Sequence, residues 1–241
     1  MNIIQVANYE EMSKHAAQYI IEKVRANPYI KLGLATGSTP KRTYQELVKD
    51  HRENGTTYQH VQTINLDEYI GLPKTDPNSY HYFMRRHLFD HLDIPSEQIH
   101  MPSGTADDLL KECVRYEQLI KEIGGVDLQL LGIGQNGHIG FNEPGTSFKS
   151  RTHIVSLAES TRIANSTFFP SLEEVPTRAI TVGISTILDS REILLLASGS
   201  AKAHALKRLI TEGIHEEFPA SALKLHSHVT IIADAEALKF V

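Results

Sequence analysis

The sequence predicts an α/β fold: a Rossmann-like, doubly wound, mostly parallel sheet with helices on both faces. Three observations carry that expectation. Apolar runs of strand length recur from end to end, among them VDLQLL (Val126–Leu131), AITVGI (Ala179–Ile184) and EILLLA (Glu192–Ala197). Stretches with helical spacing lie between them. Several of the runs end in a short polar turn, the place where a parallel sheet presents its ligand-binding edge.

Taken in order, Asn2–Val6 is a short strand. Tyr9–Ala26 carries Met12, Ala16, Ile20, Ile21 and Val24 along one face of a helix. Tyr29–Ala35 is a second strand. Thr36-Gly37-Ser38-Thr39-Pro40 then turns the chain into a helix, with Thr39 as N-cap and Pro40 in the first helical position. Val61–Leu66 is a third strand ending on Asp67-Glu68-Tyr69. Asp76-Pro77-Asn78-Ser79 opens a helix to about His91, and Ala106–Ile123 forms another. Val126–Leu131 is a buried strand that runs into LGIGQNGHIGFNEPGTS (Leu131–Ser147), whose five glycines and one proline exclude a helix or strand interior. Thr152–Leu157 reads as a strand and Glu159–Phe169 as a helix. Ala179–Ile184 and Glu192–Ala197 are apolar strands, Ser198-Gly199-Ser200 turns into a helix over Ala201–Thr211, and Val229–Ala233 closes the sheet. No linker, repeat or low-complexity tract interrupts this order, so residues 1–241 read as one domain.

Composition narrows the function. A net charge of -5 argues against broad nucleic-acid binding, which needs a basic face. No apolar stretch approaches the roughly 20 residues of a membrane span. The lone Cys113 excludes an internal disulfide, and with Glu10 and Glu11 following Met1–Val6 at once, no secretory signal is expected. A cytoplasmic location is the expectation.

Four polar clusters follow apolar strands and can face one crevice: Thr36–Thr39, Asp67-Glu68, Gly132–Glu143 and Ser198–Lys202. Thr36, Gly37, Ser38 and Thr39 place backbone N–H groups at a helix start, where the dipole favours an anion. Lys202 adds an ammonium suited to phosphate. Asp67 offers a carboxylate base and His138 a group that titrates near neutrality. Glu143, five residues past His138, can fold back onto the imidazole. A phosphorylated substrate handled by these groups points to isomerisation, enolisation or hydrolysis of a sugar phosphate.

Other readings fail on context. Gly132, Gly134 and Gly137 match the dinucleotide spacing G-x-G-x-x-G, yet His138-Ile139-Gly140 and Pro144-Gly145 do not open the helix that motif requires, and no P-loop occurs. No cofactor is expected. No metal site is expected either: His87 and His91 lack the glutamate of H-E-x-x-H, and His226 and His228 have no partnering ligand nearby. Tyr80, Tyr82 and Phe83, with Phe168 and Phe169, read as core or as a wall for substrate.

Four stretches then carry a resemblance. Leu66-Asp67-Glu68-Tyr69-Ile70-Gly71-Leu72, the run GQNGHIGFNEP from Gly134 to Pro144, and the turns ATGSTP (Ala35–Pro40) and SGSAK (Ser198–Lys202) resemble the glucosamine-6-phosphate deaminase family over nearly the whole chain, in order. The resemblance implies conversion of glucosamine 6-phosphate and water to fructose 6-phosphate and ammonia without a cofactor. It implies that His138, oriented by Glu143 and Asn136, opens the sugar ring, and that Asp67 moves the proton from C2 to C1. Many members of that family have aspartate where this chain has Asn136, which implies a lower His138 pKa here. Thr167 stands where some relatives use an arginine on phosphate. Regulated relatives bind an amino-sugar phosphate through basic residues after the central loop, where this chain has Arg151, His153 and Val155, so weak or absent allostery is expected. The oligomeric state stays open. Related readings are a sugar-phosphate lactonase on the same scaffold and a sugar-phosphate-sensing module.

Overall fold

The computed structural model describes all 241 residues. The chain starts with β1 (Asn2–Val6) and α1 (Tyr9–Ala26), whose N-cap Asn8 accepts from Glu11 N–H. β2 (Lys31–Leu34) leads to α2 (Ser38–Asn54), and β3 (Gln62–Asn65) is followed after Leu66 by β4 (Asp67–Tyr69). α3 (Tyr80–His87), β5 (Ile99–His100), α4 (Leu109–Glu122) and β6 (Leu128–Gly132) come next. After the central loop lie β7 (His153–Ser156), α5 (Glu159–Asn165), β8 (Arg178–Thr181) and α6 (Ile184–Leu188). β9 (Glu192–Ala197), α7 (Ala203–Thr211) and β10 (Val229–Asp234) complete the chain.

Seven strands form one parallel sheet in the order β1-β10-β9-β6-β2-β3-β5. Alternation in the central strands feeds two cores. Leu32, Leu34, Leu194 and Leu196 pack under α1 and α2 with Met12, Ile20 and Leu47. Leu131, Ile193, Leu195 and Ala197 face Tyr116 and Ile120 of α4 and Leu206 and Leu209 of α7. Strands buried on both faces read as continuous apolar runs, which is why EILLLA was legible as one. The strand order reverses between β2 and β6, and ligand crevices form at such a switch point.

Two expected strands lie elsewhere. Thr152–Leu157 and Ala179–Ile184 contribute β7 and β8 to a separate antiparallel sheet with β4, in the order β4-β8-β7. Ile184 already belongs to α6. Their apolar content matches that of the main strands, and nothing in periodicity names a pairing partner. Asp67-Glu68-Tyr69, expected as the tail of a strand, is itself the edge of this second sheet, and Val182 N–H donates to Leu66 O at the junction.

Smaller corrections have local causes. The N-cap of α2 is Gly37, not Thr39: Gly37 sits at φ 99°, a conformation open to glycine, and turns the chain two residues earlier. Pro40 therefore lies within the first turn, where its missing N–H has no intrahelical partner to lose. α3 ends at His87 rather than near His91, and Glu159–Phe169 breaks into α5 and a 3₁₀ turn at Ser166–Phe168. β5 and the 3₁₀ segment Pro219–Leu225 are too short for periodicity to show.

Candidate active site

The C-terminal ends of β2, β3, β6 and β9 surround a cavity of about 690 Å³. Thr36, Gly37, Ser38 and Thr39, Asp67, Asn136, His138 and Lys202 all line it, together with Tyr80, Phe141, Thr161, Asn165, Thr167 and Phe168. Of the candidate catalytic and phosphate-binding residues only Glu143 is not on its wall; it stands behind, in contact with Asn136 and His138.

The imidazole of His138 is seated by glycine. A Cβ on Gly134 would fall 2.3 Å from its Nδ1 and Cε1, so only glycine lets the ring lie across that turn. Nδ1 faces Thr161 Oγ1 at 3.4 Å and Glu143 Oε2 at 3.8 Å, and Nε2 has no partner on the protein. At 3.8 Å the carboxylate attracts the ring electrostatically without a hydrogen bond. Burial holds the His138 pKa below its ordinary value; Glu143 opposes that shift and the Lys202 ammonium adds to it.

Asn136 does not touch the ring. Its Nδ2 donates to Glu143 Oε2 at 2.8 Å, and its Oδ1 accepts from His138 N–H at 3.1 Å. The two contacts fix the amide's orientation, because a carboxylate can only accept and a backbone N–H can only donate. Asn136 thus acts on the backbone of His138 and on Glu143, which corrects the expectation that its side chain orients the imidazole directly.

Asp67 opens β4, and its side chain is buried at the cavity wall; a Cβ on Gly140 would stand 3.4 Å from its Oδ2. No protein donor reaches its carboxylate. Burial, reinforced by the neighbouring charge of Glu68, pushes its pKa up to about 8. Tyr80, Tyr69 and Phe141 pack into an aromatic cluster beside it, with Tyr80 stacked on Phe141 at 5.7 Å.

Lys202 is mostly buried, has no carboxylate partner, and burial lowers its pKa. Ser198 and Gly199, expected beside it in an anion cradle, are otherwise engaged: Ser198 Oγ and Gly199 N–H both donate to Asp234 at the end of β10. Of that cluster only Lys202 reaches the cavity. Thr161 was not visible in sequence as a site residue, and Glu68, expected with Asp67 at the crevice, does not line the cavity. Thr161 comes from a helix packed over the mouth, and Glu68 reads as one of two adjacent carboxylates. Arg151 lines a different crevice and pairs with Asp189.

An open parallel sheet with a carboxylate, an imidazole and an unpaired ammonium around one cavity at its ligand edge defines an α/β enzyme of the kind that handles small anionic substrates. The chain belongs to the glucosamine-6-phosphate isomerase/6-phosphogluconolactonase family, whose model matches residues 7–232. It is 59% identical over 241 residues to a glucosamine-6-phosphate deaminase of Geobacillus sp. (strain WCH70), covering 100% of this chain and 96% of the relative. It is 52% identical over 237 residues to glucosamine-6-phosphate deaminase 1 of Bacillus subtilis (strain 168), covering 98% of each. The solved structure of a monomeric glucosamine-6-phosphate deaminase, 51% identical, superposes over 100% of both chains with a TM-score of 0.99. A 6-phosphogluconolactonase from Trypanosoma brucei shares the fold at 21% identity, a TM-score of 0.80 and coverage of 99% and 97%.

Proposed function

We propose that the chain converts glucosamine 6-phosphate and water to fructose 6-phosphate and ammonia. The observation that carries this reading is a buried carboxylate without a protein donor, Asp67, on the same cavity as a half-buried imidazole, His138. A lactone hydrolase has use for the imidazole but none for a carboxylate poised to move protons between carbons. The close relatives named as deaminases support the same choice.

The phosphate would sit between Lys202 and the backbone N–H groups at the start of α2, where the helix dipole is positive. Lys202, already desolvated, regains a counter-charge on binding. In the first step neutral His138 takes the proton of the anomeric hydroxyl and delivers one to the ring oxygen, opening the pyranose to an aldehyde. Glu143, 3.8 Å from Nδ1, stabilises the imidazolium that forms in between. Asp67 next removes the C2 proton; the electron pair forms the C1–C2 double bond of an enolamine, and the C1 oxygen takes up the proton that the substrate's ammonium releases. Asp67 returns the proton to C1, which leaves a ketimine at C2. Water adds there, the C–N bond breaks, and ammonia leaves.

The ammonium of the substrate assists. A cation bound beside Asp67 favours its ionised form, so the complex holds the base ready where the free site holds a proton. We assign action to the monomer, as in the structurally matched relative, and to the cytoplasm, where the single buried thiol of Cys113 stays reduced. No helix is long and apolar enough to cross a membrane.

The test is ammonia release from glucosamine 6-phosphate by purified protein, beside Asp67→Asn and His138→Gln. Each substitution is expected to lower kcat by about 10²–10⁴-fold, the usual worth of a positioned acid or base. An Asp67→Asn protein that turns over within a few-fold of the parent would remove the proposal.

A further inference from the structure

Directly behind Asp67, on the opposite face of β4, lies a second carboxylate that the reaction above leaves unused. Glu68 is 1% exposed, and its carboxylate collects four donors. Oε1 accepts from the backbone N–H of Tyr69 and of Tyr80, each at 2.9 Å. Oε2 accepts from the backbone N–H of His81 at 2.9 Å and from the His81 ring at 2.7 Å. Three backbone N–H donors converging on two oxygens favour the carboxylate as an anion, and an Nδ1–H tautomer of His81 supplies the fourth donor. The loop at Gly104 seals this arrangement: a Cβ there would stand 3.3 Å from Glu68 Cγ and 1.9 Å from Tyr69 O.

We propose that Glu68 and His81 are positioning residues for deamination: a fixed anion and its imidazole clamp that hold β4 against α3 and set the charge state of Asp67 one residue away. This rests on the reading of Asp67 as the base at C2. Ser79 caps α3 only through Tyr82 N–H, so Glu68 also receives the Tyr80 and His81 N–H groups that this cap leaves over. One fact separates the role from plain helix capping: a buried negative charge stands beside the carboxylate of Asp67, and like charges in a poorly solvated place oppose each other's ionisation. Here that opposition raises the proton affinity of Asp67 toward the working pH, where a general base is most effective.

Across the cavity from Asp67 stand His138 of the central loop and Lys202 after β9, and of the charges around it that of Glu68 acts on it most. β8 opposes β4 with Ala179, Ile180 and Thr181, none of them ionisable. α3 contributes Tyr80 and His81, α2 contributes Tyr44, α4 contributes Tyr116, and β4 itself adds Tyr69. Burial drives all four phenols upward, so they stay neutral across the useful range. The side chain of His81 is 15% exposed.

The experiment is the pH profile of kcat/KM for ammonia release by Glu68→Gln, His81→Phe and His81→Asn, with Asp67→Asn as the reference. Removing the Glu68 charge is expected to move the acid limb to lower pH by about one to two units, the effect of one neighbouring charge in a partly buried place. His81→Phe leaves Glu68 less compensated and is expected to move the limb to higher pH. His81→Asn keeps a donor near the Nδ1 position and is expected to restore it. The His81 pair keeps the test alive if Glu68→Gln does not fold. An acid limb that stays in place in Glu68→Gln and in His81→Phe, whatever their stability, overturns the proposal. An active Asp67→Asn would instead overturn the underlying role of Asp67.

Discussion

Asp67 is held in a form that suits chemistry better than stability. An isolated carboxylate titrates near 3.9, and in the folded chain Asp67 is pushed up to about 8 by burial and by Glu68. Between those values the folded state binds a proton that the unfolded state has released, so this group's contribution to stability falls as pH rises from about 4 to about 8. Asp67→Asn removes the charge and is expected to raise Tm, more at pH 8.5 than at pH 5. A calorimetric series showing equal Tm changes at both pH values would contradict that assignment. Asn136 gives a second prediction at this scale. Its Nδ2 is the donor to Glu143, so Asn136→Asp would put two carboxylates 2.8 Å apart. One must take up a proton or move away, and the support of Glu143 for His138 weakens with it. The substitution is expected to lower kcat at neutral pH in this chain. A kcat/KM–pH profile that overlays the parent would count against the network. The sequence revealed which residues matter here but not how they touch. Spacing put Asn136, His138 and Glu143 in one loop, yet the role of Asn136 on the His138 backbone follows only from coordinates.

The central loop from Gly132 to Gly145 looks flexible in composition and is firmly held in the fold. Phe141 N–H donates to Thr181 Oγ1 at 3.1 Å, Asn142 Nδ2 donates to Ile139 O and Val182 O, and Gly145 N–H donates to Glu216 O. The small antiparallel sheet therefore serves as the anvil of the loop, and it places Asp67 and Thr181 side by side in register. Thr181→Val leaves the buried Phe141 N–H without a partner and is expected to cost about 1–3 kcal/mol in urea unfolding. It is also expected to lower kcat more than it raises KM, because it loosens the base and the imidazole relative to each other. Unchanged stability would show that the loop is held by other means. The main strands were legible because both of their faces are apolar. The small sheet was not, since β7 and β8 carry the same signature and β4 is only three residues long. The four polar turns could be placed at the ligand edge because each follows an apolar run. The occupation of Ser198 and Gly199 by Asp234 could not, since that contact spans 36 residues or nearly so in sequence.

Across the whole molecule, both sheets meet at one junction. β3 passes through Leu66 directly into β4, and Val182 N–H returns from β8 to Leu66 O at 2.7 Å. Ile64 and Leu66 sit in the same core as Val182 and Ile187. We propose that the chain is one cooperative unit, with coincident transitions in far-UV circular dichroism and tyrosine fluorescence. Two separated transitions would assign the small sheet its own stability. The same junction explains why the site is built as it is: one element supplies the carboxylate, another the imidazole, a third the ammonium, and the sheet edge fixes the gaps between them.

The measurement closest to the centre of this account follows hydrogen rather than ammonia. With glucosamine 6-phosphate turned over in heavy water, the parent is expected to place deuterium at C1 of the fructose 6-phosphate formed, to the extent that Asp67 exchanges its proton with solvent before returning it. Asp67→Asn is expected to release neither ammonia nor labelled product, and to leave the hydrogen at C2 of the substrate unexchanged. If that variant still washes deuterium into C1 at the parent's rate, the proton is carried by another group and the cavity works by a different chemistry.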